Sequence, residues 1–239
     1  LGVKPVTPPA APSLNRQVRL AAKDIDMDKV WSRLSKKSLF SLSWGLRGNS
    51  MKDADAEGEK ILAEWKKKVT AEKLFEPEIV YGHFACHAKN GKLVVDYSGG
   101  QVEFDFPRSA QSKHLCLSDY FGENDIVSFQ AVTVGQRVQE VIDKWNKDDR
   151  YTDAYYLHGL AVETAEALAE MANDMIRNDL KIGESEGLRY SWGYPSCPDV
   201  SQHHLVWKLL QPEKSGMTLT EAGQIIPEQS TAAIVVHHP

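Results

Sequence analysis

Cysteine is scarce in this sequence of 239 residues, with only Cys86, Cys116 and Cys197. An odd, low count excludes a disulfide framework and suits a reducing compartment, so a cytoplasmic location is expected. Long apolar runs are missing as well, which removes the expectation of a membrane-spanning helix. The first residues lack a basic segment followed by an apolar one and are not read as a secretory signal. There is no excess of positive charge: 28 Lys and Arg stand against 33 Asp and Glu, a net charge of -5. Nucleic acid is therefore not an expected partner, because phosphate recognition wants a basic surface. A phosphate loop, a dinucleotide fingerprint and a Ser-His-Asp order are all absent. No internal repeat is visible. Biased composition is confined to the start, where Pro5, Pro8, Pro9 and Pro12 mark an extended lead-in or linker over residues 1–22.

What is present reads as one domain over residues 23–239. Hydrophobic residues make up 42% and charged residues 26%, so a chain of this length can bury a core without staples. Asp24 to Leu34 has the spacing of a short helix. Asp53 to Leu74 is an amphipathic helix with Ile61, Leu62, Trp65 and Val69 on one side. β-Formers then dominate Ile79 to Ala88, followed by the turn Lys89-Asn90-Gly91-Lys92 and by strand patterns at Leu93 to Tyr97, Gln101 to Phe106 and Ile126 to Val134. Gln136 to Trp145 is helical. Thr152 to Leu180 is the longest helix, with an apolar stripe from Leu157 to Met175 and with Glu163, Glu166 and Glu170 together on another face. Arg189 to Pro198 reads as a loop, Ser201 to Leu210 as a helix and Thr231 to Val236 as a last strand. Helices and strands come in clumps rather than in alternation, which predicts an α+β fold with a mainly antiparallel sheet.

Three constellations carry chemical interest. The loop from Arg189 to Pro198 contains two prolines among its aromatic residues, and Gly193 interrupts it. A stiff, irregular segment with backbone amides and an arginine suits a carboxylate ligand, since Arg can make a two-pronged contact. On residue types alone, a packed loop with a surface arginine is preferred. Glu166 could receive hydrogen bonds from a ribose or an amino group, although a solvated helix face accounts for it taken alone. His83, Cys86 and His87, with His114 and Cys116, have the residue types of a metal site. A strand would send His83 and His87 to one side and Cys86 to the other, so packing is preferred and no metal is expected.

The ordered pieces Leu39-Phe40 with Trp44-Gly45, Phe106-Pro107-Arg108, Leu115 to Phe121, Val132 to Gly135, Asp149 to Asp153, Tyr156 to Leu160, Glu163 to Glu170, Arg189 to Asp199 and Pro227 to Pro239 resemble the activation domain of cobalamin-dependent methionine synthase. Gly193-Tyr194-Pro195-Ser196-Cys197-Pro198 is the most specific of them. The resemblance implies a C-shaped α+β domain around a twisted antiparallel sheet flanked by helices. It also implies a reactivation role, in which S-adenosylmethionine methylates a cobalamin held by a partner module. Flavodoxin or another low-potential donor would supply the electron that returns cob(II)alamin to the reactive state. Such a chain is not a complete methionine synthase, and it carries no Asp-x-His-x-x-Gly cobalamin motif.

The resemblance further assigns residues. Arg189 would grip the ligand carboxylate, and Glu166 would bind its polar groups. The backbone at Ser191 and Gly193 would hold the adenosine, and Tyr194 would lie near both the ligand and the corrin. Ser35 stands where the family has Asp or Asn, so that contact is expected to be shortened or lost. The family's Trp-Gly after the early Pro-Pro is replaced by Ala10-Ala11-Pro12, and an aromatic of the family lies beyond the position of Pro239. No acid, base or nucleophile is called for, because methyl transfer from a sulfonium to a cobalt nucleophile needs positioning rather than proton transfer. A docking module without turnover, or an activator of another corrinoid methyltransferase, is the rival reading.

Overall fold

The computed structural model describes residues 3, 6–47, 51–110 and 114–238. Its strands are β1 (Arg16–Leu20), β2 (Glu78–Lys89), β3 (Lys92–Tyr97), β4 (Gly100–Asp105), β5 (Asp125–Thr133), β6 (Leu188–Ser191), β7 (Thr218–Leu219), β8 (Ile225–Ile226) and β9 (Ser230–Val236). Its helices are α1 (Met27–Trp31), α2 (Met51–Ala71), α3 (Gln136–Lys147), α4 (Tyr151–Leu180) and α5 (His203–Leu210). The main sheet runs β4-β3-β2-β5-β9-β6, with β1 added to β2, and every pairing between these strands is antiparallel. The small pair β7-β8 stands apart from it. The α+β class with an antiparallel sheet is thus observed.

Strand alternation divides the interior into two cores. On one face Ile79, Tyr81, Val132 and Val235 pack under α4, joined by Leu157, Leu160, Ala161 and Leu168 of that helix and by Leu62, Trp65 and Val69 of α2. On the other face Val80, Phe84, Phe129 and Ile234 pack with Val206 and Leu209 of α5. Burial of these apolar stripes is the main drive to fold. The Asn90-Gly91 turn between β2 and β3 has positive φ at both residues, 52° and 79°, as a tight hairpin of this twist requires. Gly159 is fixed by close approach: a Cβ there would lie 2.8 Å from the Trp44 ring, whose indole N–H donates to the Tyr156 carbonyl at 3.0 Å.

Several sequence expectations change. The helix read over Asp24 to Leu34 is a 3-10 turn at Ala22–Asp24 followed by α1. Asp26 accepts from the backbone N–H of Asp28 and Lys29, so the helix starts after it. Part of the segment read as lead-in is structural. β1 pairs with β2, Gln17 donates to the Leu209 carbonyl at 2.7 Å, and Arg19 donates to the carbonyls of Leu210 and Gln211. Arg19 thereby satisfies carbonyls that the end of α5 leaves open. The start of the 189–198 loop is strand β6, because Arg189, Tyr190 and Ser191 pair with Val235, Ile234 and Ala233. The helix read from Ser201 begins as a 3-10 turn at Val200–Gln202. Ser38–Ser43 forms a π-helical segment with no counterpart in the sequence reading.

Candidate functional site

Strand β6 sits at the sheet edge, and its alternation decides which side chains reach α4. Tyr190 packs against the α5-side core and Trp192 is buried in it, so Arg189 and Ser191 face α4. On α4, Glu166 and Glu170 are one helical turn apart and point the same way. Arg189 donates through Nη2 to Glu166 at 2.6 Å, through Nε to Glu170 at 2.7 Å and through Nη1 to the Ser191 hydroxyl at 3.2 Å. Its side chain is 16% exposed, against 43% for Glu166 and 46% for Glu170. Burial opposes the charge on Arg189, but the two carboxylates outweigh it and hold its pKa above the usual arginine value.

These groups line a concavity of about 350 Å³ together with Tyr190, Tyr194 and Ser196. The floor is polar and charged, with two carboxylates to one guanidinium. A larger concavity of about 700 Å³ adjoins it, sharing Tyr190 and Ser196, and is bounded beyond them by Arg108, His114 and Tyr120. Arg108, on the lining of the larger concavity, is paired with Asp119 at 2.7 Å, whereas the smaller one gathers Arg189, Glu166 and Glu170 together.

The segment after β6 is held by its own backbone. The Gly193 N–H donates to the Cys197 carbonyl at 2.9 Å, and the Cys197 N–H donates to the Tyr194 carbonyl at 2.9 Å. Gly193 has φ of 92°, a region that favours glycine. The Cys197 thiol donates to the Ser191 carbonyl at 2.9 Å, and burial pushes its pKa up to about 12, so it stays protonated and fastens the turn. The turn leaves Tyr194 64% exposed at the rim.

Four of the residues expected at the site therefore meet: Arg189, Glu166, Ser191 and Tyr194. Gly193 does not line the concavity but shapes the turn between Ser191 and Tyr194. Ser35 is not among the lining residues, and its hydroxyl accepts the Ser38 N–H at 3.3 Å. Glu163 also departs from the expected glutamate face. It is 8% exposed and accepts from the hydroxyls of Ser38 at 2.6 Å and Ser43 at 3.0 Å. Glu170 was expected on the helix face but not at the site. Its four-residue spacing from Glu166 is the signal in the sequence that points to it.

The residues weighed as metal ligands are separated as strand geometry requires. Cys86 lies in the α5-side core, while His83 meets Ser128 at 2.7 Å and Asp179 at 3.3 Å under α4. Among the described residues, no group of three or more His, Cys, Asp or Glu is arranged to hold a metal ion. No helix of the described residues is long and apolar enough to cross a membrane.

The family profile described as vitamin B12 dependent methionine synthase, activation domain, matches residues 37–239. Methionine synthase of Mycobacterium tuberculosis is 31% identical over 247 aligned positions, covering 86% of this chain and 21% of the relative. Methionine synthase of Mycobacterium leprae is likewise 31% identical, covering 86% of this chain and 20% of the relative. The chain thus spans about a fifth of the length of these relatives. Among solved structures, the MetH reactivation domain bound to AdoHcy superposes with a TM-score of 0.84 at 21% identity, over 98% of this chain and 82% of that one. At that identity the likeness shows the fold.

Proposed function

This chain belongs to the family of vitamin B12 dependent methionine synthase activation domains, and on that premise we propose that it binds S-adenosylmethionine in the Arg189 concavity and presents the methyl group to a cobalamin held by another module. The observation that carries the reading is Arg189 held between Glu166 and Glu170 at the edge of an open concavity. A guanidinium has more N–H groups than these contacts use, so a ligand carboxylate finds donors already aimed. Glu166 takes the ligand's amino or ribose groups, and the backbone at Ser191 and Gly193 takes the adenosine. Tyr194, exposed at the rim, faces the corrin of the partner. The solved relative described as bound to AdoHcy supports a ligand of this class.

A sulfonium supplies its own leaving group, so the domain's task is to align donor and acceptor and to keep the site ordered. The electron that prepares the cobalamin comes, in this reading, from flavodoxin or another low-potential donor, and the domain works in the cytoplasm. Ser35 takes no part in the proposed contacts.

Calorimetric titration of the chain with S-adenosylmethionine tests the proposal. Arg189→Ala should weaken binding about tenfold to hundredfold, the value of a charge-assisted hydrogen bond, and Arg189→Lys should recover only part of it. Wild-type chain that shows no heat at millimolar ligand rules the proposal out. The rival, a docking module without turnover, draws on the fact that Arg189 already carries two carboxylates. It predicts partner binding with no ligand heat.

A further inference from the structure

We infer that Glu170 makes this concavity selective for a ligand carrying a sulfonium over the thioether that remains once the methyl group has left. The inference rests on the proposed S-adenosylmethionine site. Its basis is the charge balance of the lining. Glu166 and Glu170 face one arginine, so the concavity keeps an excess of one negative charge. S-adenosylmethionine carries a carboxylate, an ammonium and a sulfonium, a net positive charge. The thioether product carries only the first two and is neutral. The lining therefore complements the methylated ligand and not the demethylated one.

Glu170 is the group that can deliver this difference. Both carboxylates are bound to Arg189 in the unliganded chain, and a ligand carboxylate competes for that same guanidinium. Glu170 holds the single Nε–H, while Nη1 and Nη2 each keep one N–H beyond their contacts to Ser191 and Glu166, and these are the donors left for a ligand carboxylate. Once the ligand shares Arg189, the charge of Glu170 is less fully neutralised and acts on the ligand's cations. Glu170 is nearly half exposed, so solvent moderates the effect. A preference of about fivefold is expected, weakening as salt is added. The same difference favours departure of the demethylated product.

The experiment compares three ligands on the wild-type chain and on Glu170→Gln by calorimetry. They are S-adenosylmethionine, S-adenosylhomocysteine and an analogue with an ammonium in place of the sulfonium. Wild-type chain should prefer the two cationic ligands severalfold. Glu170→Gln should bring the preference close to unity, S-adenosylmethionine losing more affinity than S-adenosylhomocysteine, and Glu170→Asp should restore part of it. Equal weakening of all three ligands in Glu170→Gln would mean that Glu170 only props Arg189, and the inference fails while the proposed function stands. An unchanged preference overturns it in the same way. Wild-type chain that binds none of the ligands overturns the proposed function and this inference together.

Discussion

Ser38 donates its hydroxyl to Glu163 over 2.6 Å, tying the π-helical segment to α4 one turn before the carboxylate that holds Arg189. Ser43 closes on the same carboxylate oxygen at 3.0 Å, and Trp44 is bonded to the Tyr156 carbonyl one residue later. The segment from Ser38 to Trp44 is thus fastened to the stretch of α4 that leads into the site. Glu163→Ala should cost about 1.5–3 kcal/mol, because two hydroxyls lose a charged acceptor in a buried setting. Glu163→Gln keeps an acceptor oxygen and should cost less. Urea denaturation reads both, and equal stability of the alanine variant and wild type would remove Glu163 from this role.

The parts of the fold that were legible in the sequence are those set by local pattern. α4 announces itself through a helical stripe from Leu157 to Met175, and the β2–β3 hairpin through Asn90-Gly91 between alternating residues. β6 was hidden because it is four residues long and exists only through pairing with β9, far along the chain. β1 was hidden for a similar reason: Arg16-Gln17-Val18-Arg19-Leu20 looks like a polar extension, and its long side chains find their partners at the end of α5. The site divides the same way. Arg189 and Glu166 emerge from the family resemblance, whereas Glu170 follows from helical spacing once Arg189 is known to face α4. Ser35 enters only through the resemblance, and its hydroxyl accepts the Ser38 N–H, a local contact that its own residue type does not announce.

Stability should fall on mild acidification. Burial lowers the pKa of His83, with Asp179 offsetting part of the effect, and burial likewise lowers that of His203 despite its bond to the Gly223 carbonyl. In the unfolded chain both titrate near about 6.5, so below that pH the unfolded state binds more protons than the folded one. Their contribution is complete above about pH 6.5 and declines as pH drops. Asp125 acts in the same sense at lower pH. Burial raises its pKa, but His237 and the N–H groups of Gly122 and Ile126 outweigh this and hold it below the usual carboxylate range. The urea midpoint should therefore be higher at about pH 7.5 than at about 5.5, and His83→Gln with His203→Gln should flatten that slope. A midpoint that rises on acidification contradicts this account.

Tyr194 offers the sharpest separation between binding and transfer. The residue is 64% exposed, while its carbonyl is engaged by the Cys197 N–H, so the turn survives without the ring. Tyr194→Ala should leave stability within about 0.5 kcal/mol of wild type, as for exposed substitutions generally. It should also change the affinity for S-adenosylmethionine only modestly, because the proposed polar contacts come from Arg189, Glu166 and Ser191, while Tyr194 lines only the exposed margin. In the proposed reading, transfer depends instead on how the partner's corrin would sit against the rim. A displacement of about 1 Å at the reacting atoms can cost on the order of a hundredfold in rate. With a cobalamin-loaded partner module, a low-potential reductant and S-adenosylmethionine, the absorption change that reports cobalt methylation should slow far more in Tyr194→Ala than binding weakens. Tyr194→Phe, which keeps the ring and loses only the hydroxyl, should stay close to wild type. Matched losses of affinity and rate in Tyr194→Ala would place the ring at the ligand rather than at the corrin. An unchanged rate would leave the rim without a part in docking.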